Sequence, residues 1–169
     1  MTNQAGPENH VTMSSPVGVL TISGNADAVT RIDLPGKTSL GVKVLKKNGS
    51  AEMPGPVAAA VAQLEEYFAG DRTEFELPLE LAGTAFQRDV WLALSEIPYG
   101  KTISYAELAA MVGRPTAFRA VGQANGSNPI PIVLPCHRVV ASGGGIGGYG
   151  GGLPMKRRLL ALEGVTAPQ

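Results

Sequence analysis

The chain has 169 residues and a single cysteine, Cys136. One cysteine excludes an intrachain disulfide, which removes the usual structural reason for having a cysteine at all. Histidine is almost as scarce, with only His10 and His137. Together with Cys136 they are too few for a closed four-ligand metal site, so neither metal nor cofactor is expected. No uninterrupted apolar stretch approaches the ~20 residues that span a bilayer, which argues against a membrane helix. Met1 to His10 are polar and lack the basic and apolar regions of a signal peptide, so a reducing, cytoplasmic location is expected for the free thiol. Net charge is also lacking: 14 Lys+Arg balance 14 Asp+Glu. That balance argues at first sight against a nucleic-acid partner. Its distribution argues otherwise, because residues 80–169 hold eight basic and five acidic residues while the first half holds six basic and nine acidic. Positive charge segregated in this way can dock on phosphates with a modest salt slope, although ordinary solvated surface charge gives the same counts.

What is present suggests an α+β chain in two parts. Met1 to about Val11 is polar and aperiodic and is expected to be disordered. Gly18–Ser23 and Ala28–Leu34 read as β-type runs joined through Gly24-Asn25-Ala26-Asp27, which predicts a hairpin, and Val42–Leu45 is a candidate third strand. After Pro54-Gly55-Pro56, Val57, Val61, Leu64 and Phe68 recur at helical spacing until Gly70. The second part is mostly helical. Thr84 with Gln87 and Ser104 with Glu107 form capping boxes, and Phe86, Val90, Leu94 and Ile97 make one apolar face. The second of these helices ends at Gly113, and Thr116 can cap a third that runs to Asn125-Gly126, so the pair reads as a helix-turn-helix. Pro154 suits the first turn of a last helix with Met155, Leu159 and Leu162 inward and Gly164 at its end. The expected division is 1–11 disordered, 12–80 a small sheet-plus-helix domain, and 81–166 a helical domain.

Cys136 stands in Pro135-Cys136-His137-Arg138-Val139-Val140. The apolar run Ile130–Leu134 leads into it, and the glycine-saturated segment Gly143–Gly152 follows. A strand that delivers a thiol into a pocket roofed by a pliable loop has this pattern. The Cys-His pair alone, however, fits a small buried hydrophobe better, since reactivity needs a lowered thiol pKa and some exposure. The glycine segment is a poor phosphate cradle, because no Gly-Lys-Ser/Thr follows it and no strand-loop-helix fingerprint surrounds it.

A wider set of motifs changes the balance. In order, the chain shows Gly83-Thr84-Ala85-Phe86-Gln87, Val90-Trp91, Ile97-Pro98-Tyr99-Gly100-Lys101-Thr102, Ser104-Tyr105-Ala106-Glu107-Leu108-Ala109, Arg119-Ala120-Val121-Gly122, Asn128-Pro129, Pro-Cys-His-Arg-Val, Gly148-Tyr149-Gly150-Gly151-Gly152, Lys156 and Leu162-Glu163-Gly164. This set, covering about half the chain, resembles the O6-alkylguanine-DNA alkyltransferases, which are direct-reversal DNA repair proteins. Ser15-Pro16-Val17-Gly18 and Gln63–Gly70 resemble the family's amino-terminal domain more weakly.

The resemblance implies a ribonuclease-H-like first domain and a winged helix-turn-helix second domain. It implies a free monomer that binds double-stranded DNA containing O6-alkylguanine through the minor groove. The alkyl group would pass irreversibly to Cys136, once per molecule. By the same resemblance His137 is the base acting through a bridging water, Glu163 orients its imidazole, Asn128 is the hinge asparagine, and Tyr149 assists the leaving O6. Arg119 fills the gap left by the flipped nucleotide, Tyr105 pushes on its phosphate, and Arg114 and Ser142 are backbone contacts. Val139, Pro131 and Gly150 line the base pocket, with carbonyls at Cys136 and Val139 meeting the exocyclic amine. Ala117, Ala120, Gly122, Ala124 and Gly126 are small, which suits close helix packing within a protein as well as a minor groove only ~6 Å wide, and the resemblance implies the groove. Phe118, where many relatives carry a small residue, and Gly150, where many carry serine, depart from the pattern. Three other readings are weighed beside this one. A damage-binding module would lack the reactive cysteine, a transcription regulator would carry polar base-reading side chains on the third helix, and a cysteine hydrolase would turn over repeatedly.

Overall fold

A computed structural model describes residues 8–36, 44–45, 53 and 55–166. The chain divides into two compact units, Met1–Leu81 and Ala82–Gln169. Among the described residues no helix is long and apolar enough to cross a membrane.

Among its described residues, the first unit is a four-stranded sheet with one helix. β1 (Asn9–Ser15), β2 (Gly18–Gly24) and β3 (Val29–Asp33) form an antiparallel meander, and β4 (Val44–Leu45) joins β1 in parallel. The hairpin predicted around Gly24–Asp27 forms because Asn25 Oδ1 accepts from the amides of Asp27 and Ala28, both at 2.9 Å. Of the candidate third strand, 42–43 lie outside the described residues. No strand is expected at 9–15 from the sequence, yet β1 forms there and takes in the end of the segment expected to be disordered: Asn9, His10 and Val11 pair with Gly24, Ser23 and Ile22. Cross-strand contact orders this end despite its polar sequence, since His10 Nδ1 lies 2.5 Å from Ser23 Oγ and Val11 is buried. The rest of the segment expected to be disordered, 1–7, lies outside the described residues. α1 (Gly55–Phe68) buries Val57, Ala60, Val61, Leu64 and Tyr67, the stripe its 3.6-residue period requires. Gly24 permits the approach of α1, because a Cβ there would stand 2.7 Å from Val57 Cγ2.

The second unit contains α2 (Ala85–Leu94), α3 (Tyr105–Met111), α4 (Phe118–Gly126) and α5 (Leu153–Leu162), with a two-residue parallel pairing of β5 (Ile103–Ser104) and β6 (Val139–Val140). Both capping boxes form, Thr84 with Gln87 and Ser104 with Glu107. α3 stops at Gly113, whose φ of 74° closes the helix-turn-helix corner, and Arg114 N–H returns to Ala109 O at 2.9 Å. Thr116 does not cap α4. The N-cap is Ala117, so the first turn of α4 has no side-chain acceptor. Trp91 ties α2 to α4 by donating from Nε1 to Ala124 O at 2.8 Å. In α5, Leu159 and Leu160 are buried, and so is Lys156, whereas Met155 and Leu162 are only half-buried.

Candidate active site

All the site residues suggested by the sequence lie in the second unit. The run Ile130–Leu134 that leads to Cys136 is not a strand. It is a buried tight turn in which Pro131 bridges to Leu134 and Leu134 N–H reaches Ile130 O at 2.9 Å. Continuous apolar runs carry no periodicity, so sequence alone does not separate the two forms. Asn128 stitches the turn from within: its Oδ1 accepts from Ile130 N at 2.9 Å and its Nδ2 donates to Leu134 O at 2.7 Å. Ile132 adopts a left-handed φ of 76°, which costs a β-branched residue of order 1–3 kcal/mol and persists only because its surroundings fix it. The turn feeds a 3-10 helix, Cys136–Arg138, that carries the thiol.

Cys136 is 6% exposed. Burial pushes its thiol up to about 11, against smaller downward pulls from Asn128, the Lys156 ammonium and nearby amides. The resting sulfur is therefore protonated near neutral pH. Beside it, His137 Nε2 lies 2.5 Å from Glu163 Oε2, and neither side chain is exposed. Burial lowers the imidazole below its ordinary 6.5, opposed by Glu163, so the ring is neutral at pH 7. A carboxylate only accepts, so the single ring proton belongs on Nε2 and Nδ1 keeps a lone pair. Nδ1 is buried without a partner among the described residues, and so is Tyr149 Oη.

Glu163 is far from the solvated helix-end residue it would be by default. Its Oε1 accepts from Arg138 Nε at 2.7 Å and from Gly100 N at 3.3 Å. Arg138, 5% exposed, also donates from Nη1 to Ile97 O at 2.7 Å. A buried carboxylate between an imidazole and a guanidinium is stable only with its lone pairs this well occupied.

Lys156 is the functional residue that sequence reasoning left without a role. It is 0% exposed, and its Nζ donates to Val139 O and Ile146 O at 2.6 Å and to Gly148 O at 2.9 Å. One ammonium therefore ties β6 to the part of the glycine loop just ahead of Tyr149. The Val139 carbonyl, expected to meet a base amine, already takes this bond, and the Cys136 carbonyl accepts from Val139 N–H. Each keeps a second lone pair. Replacing Lys156 with Met orphans three carbonyls, at ~1–3 kcal/mol for each that stays dry. We expect a lower melting temperature and slower alkyl transfer, with affinity for undamaged DNA retained; thermal denaturation, transfer kinetics and DNA titration check this.

The remaining predicted residues gather elsewhere on the unit. Tyr105, Arg119 and Ser142, with Ala106, Phe118, Gly122 and Ala141, line a cavity of about 540 Å³. Gly147 admits Tyr105: its φ is 76°, and a Cβ there would fall 2.9 Å from the ring. Gly148, by contrast, is unconfined, with nothing within 4 Å of such a Cβ. On α4 the exposed or half-exposed positions include Arg119, Gly122, Gln123 and Gly126, spaced along one face. Ala124, expected on the small outer face, is buried. Arg114 lies outside the cavity and stacks its guanidinium 5.4 Å from the Phe86 ring centroid. Pro131 is buried and Gly150 exposed. Among the described residues no group of three His, Cys, Asp or Glu converges as a metal site.

Known proteins place this geometry. Residues 85–165 match the 6-O-methylguanine DNA methyltransferase DNA binding domain, and residues 10–81 match the ribonuclease-like domain of the same family. A methylated-DNA–protein-cysteine methyltransferase from Mycolicibacterium paratuberculosis is 49% identical over 93% of both chains. The constitutive one of Bacillus subtilis is 43% identical over 93% of this chain and 96% of its own. Mycobacterium tuberculosis OGT, solved in complex with DNA, superposes with a TM-score of 0.82 at 47% identity, over 95% of each chain. With both domain models matched in order and relatives this similar along nearly the full length, the chain belongs to the 6-O-methylguanine DNA methyltransferase family.

Proposed function

We propose that this protein repairs DNA by direct reversal, taking the alkyl group of O6-alkylguanine onto Cys136 Sγ in a single turnover. The observation that carries this is the dry His137–Glu163 pair next to the only thiol of the chain, with the Nδ1 lone pair left open. The thiol proton leaves toward His137, through a bridging water, as substrate occupies the site. Sulfur then attacks the alkyl carbon in line, the carbon–O6 bond breaks, and guanine departs with its oxygen assisted by the Tyr149 hydroxyl. Nothing in the site breaks a thioether, so the reaction stops there. Asn128 keeps the turn in place and the carbonyls of Cys136 and Val139 take the base amine, while Pro131 and Gly150 belong to the pocket wall.

DNA approaches the α3–α4 corner through its minor groove. The spare outer face of α4 suits a groove ~6 Å wide, and its uncapped first turn suits a phosphate. The target nucleotide is swung out, since no side chain reaches O6 within the stack. Arg119 fills the gap and Tyr105 presses on the phosphate of the extruded nucleotide, while Arg114 and Ser142 hold the backbone. The free protein works as a cytoplasmic monomer. The test is intact mass spectrometry after mixing with an oligonucleotide containing O6-methylguanine: one methyl group is gained per molecule, on Cys136. More than one equivalent of repaired base per protein would overturn the reading.

A further inference from the structure

Phe118 opens α4 with its ring half in water. It is 52% exposed, and among the described residues no ring pairing or cation contact engages it. The inward residues of the helix, Val121, Ala124 and Asn125, all come later, so Phe118 overhangs the end of the packed face. Its ring is one wall of the cavity that it shares with Tyr105, Arg119 and Ser142. That cavity combines carbon-rich walls with one cation and two hydroxyls, those of Tyr105 and Ser142. A sugar and a base face fit the carbon, and a phosphate fits the hydroxyls of Tyr105 and Ser142, so the chemistry complements a nucleotide of an opened duplex.

We propose that Phe118 is an apolar wedge acting beside Arg119, its ring packing against the sugar and bared base face where a guanine has left the stack. The proposal rests on the nucleotide-extrusion reading above. Proteins that bend DNA from the minor groove insert such wedges between base steps, and an aromatic face accepts any base because every base has a π-face. Phe118 thereby stabilises the opened duplex and contributes nothing to the displacement at sulfur. An apolar contact also releases no counterions, so it leaves the salt dependence of binding alone.

The test compares wild type with Phe118→Ala and Phe118→Tyr on an O6-methylguanine duplex, the same strand unpaired, and free O6-benzylguanine. The expected result is roughly a tenfold slower transfer from duplex for Phe118→Ala, with the free base reaction and the salt slope unchanged and Phe118→Tyr restoring the rate. A 2-aminopurine placed opposite the lesion should brighten less with Phe118→Ala than with wild type. An unchanged duplex rate would overturn the proposal. So would an equal loss on free O6-benzylguanine, which would make Phe118 part of the base pocket, or a shallower salt slope, which would make it part of a phosphate contact. Failure of the wild type to take the alkyl group even from free O6-benzylguanine would sink the transfer function itself and is read separately in the same assay.

Discussion

Cys136→Ser binds alkylated DNA with near wild-type affinity and gains no mass. A serine hydroxyl is a far weaker nucleophile than sulfur, and a neutral imidazole does not ionise it, so the loss is complete within detection. The substitution removes little volume from a site that is 6% exposed, so the fold and the DNA face survive. Gel-shift titration and intact mass measured on one preparation separate binding from transfer. A Cys136→Ser protein that still acquired the methyl group would move the acceptor elsewhere. The high thiol pKa adds a second check on the wild type. Labelling of the free protein by a small thiol reagent should be slow at pH 7 and accelerate towards pH 11, because the sulfur ionises at about 11.

Glu163→Gln should give the next largest effect, and on two measurements at once. The amide leaves the Arg138 guanidinium buried without its carboxylate, at about 3–5 kcal/mol in stability. It also no longer requires the imidazole proton to sit on Nε2, so the open lone pair on Nδ1 is lost from part of the population. Transfer should fall ~10²-fold or more, the usual contribution of a positioned base, and by the same factor on duplex DNA and on free O6-benzylguanine. Equal loss on both substrates marks a defect at sulfur and not in nucleotide extrusion. The imidazole also adds an acid-side dependence to the stability of the wild type. His137 titrates below its ordinary 6.5 in the folded state, so the unfolded chain binds the extra proton first. Its share of stability is intact above pH 6.5 and drains as pH falls below that value.

Much of this was legible in the sequence where the interactions are local. The capping boxes and the Asn25 turn each join residues three positions apart, so residue type and spacing suffice. The family motifs carried the thiol, the histidine and the glutamate. Long-range polar contacts escaped. Glu163 meets Arg138 across 25 residues and His137 across 26, and nothing in a helix-end glutamate signals such burial. Lys156 is harder still, because its partners are main-chain carbonyls that every residue possesses. Its signal was negative: a lysine four residues after the glycine run, on the inward side of a helix, with no acidic partner at helical spacing. The Ile130–Leu134 segment misled because a buried turn and a buried strand share a composition, and only the Asx bond from Asn128 decides between them.

The glycine loop, finally, owes part of its order to a side chain outside it. Eight of the ten residues from 143 to 152 are glycine, and each loses more backbone entropy on ordering than any other residue would. Among the side chains, the constraint comes from the Lys156 ammonium, which titrates at about 8 because burial disfavours its charge. A neutral amine has two N–H groups for three carbonyls. As pH rises through that value one anchor must let go, and the freed chain recovers the entropy it had given up. Amide exchange around Tyr149 should therefore quicken above pH 8 beyond the ordinary base-catalysed rise, while α2 and α4 hold steady. The loop behaves as a spring latched by a single proton.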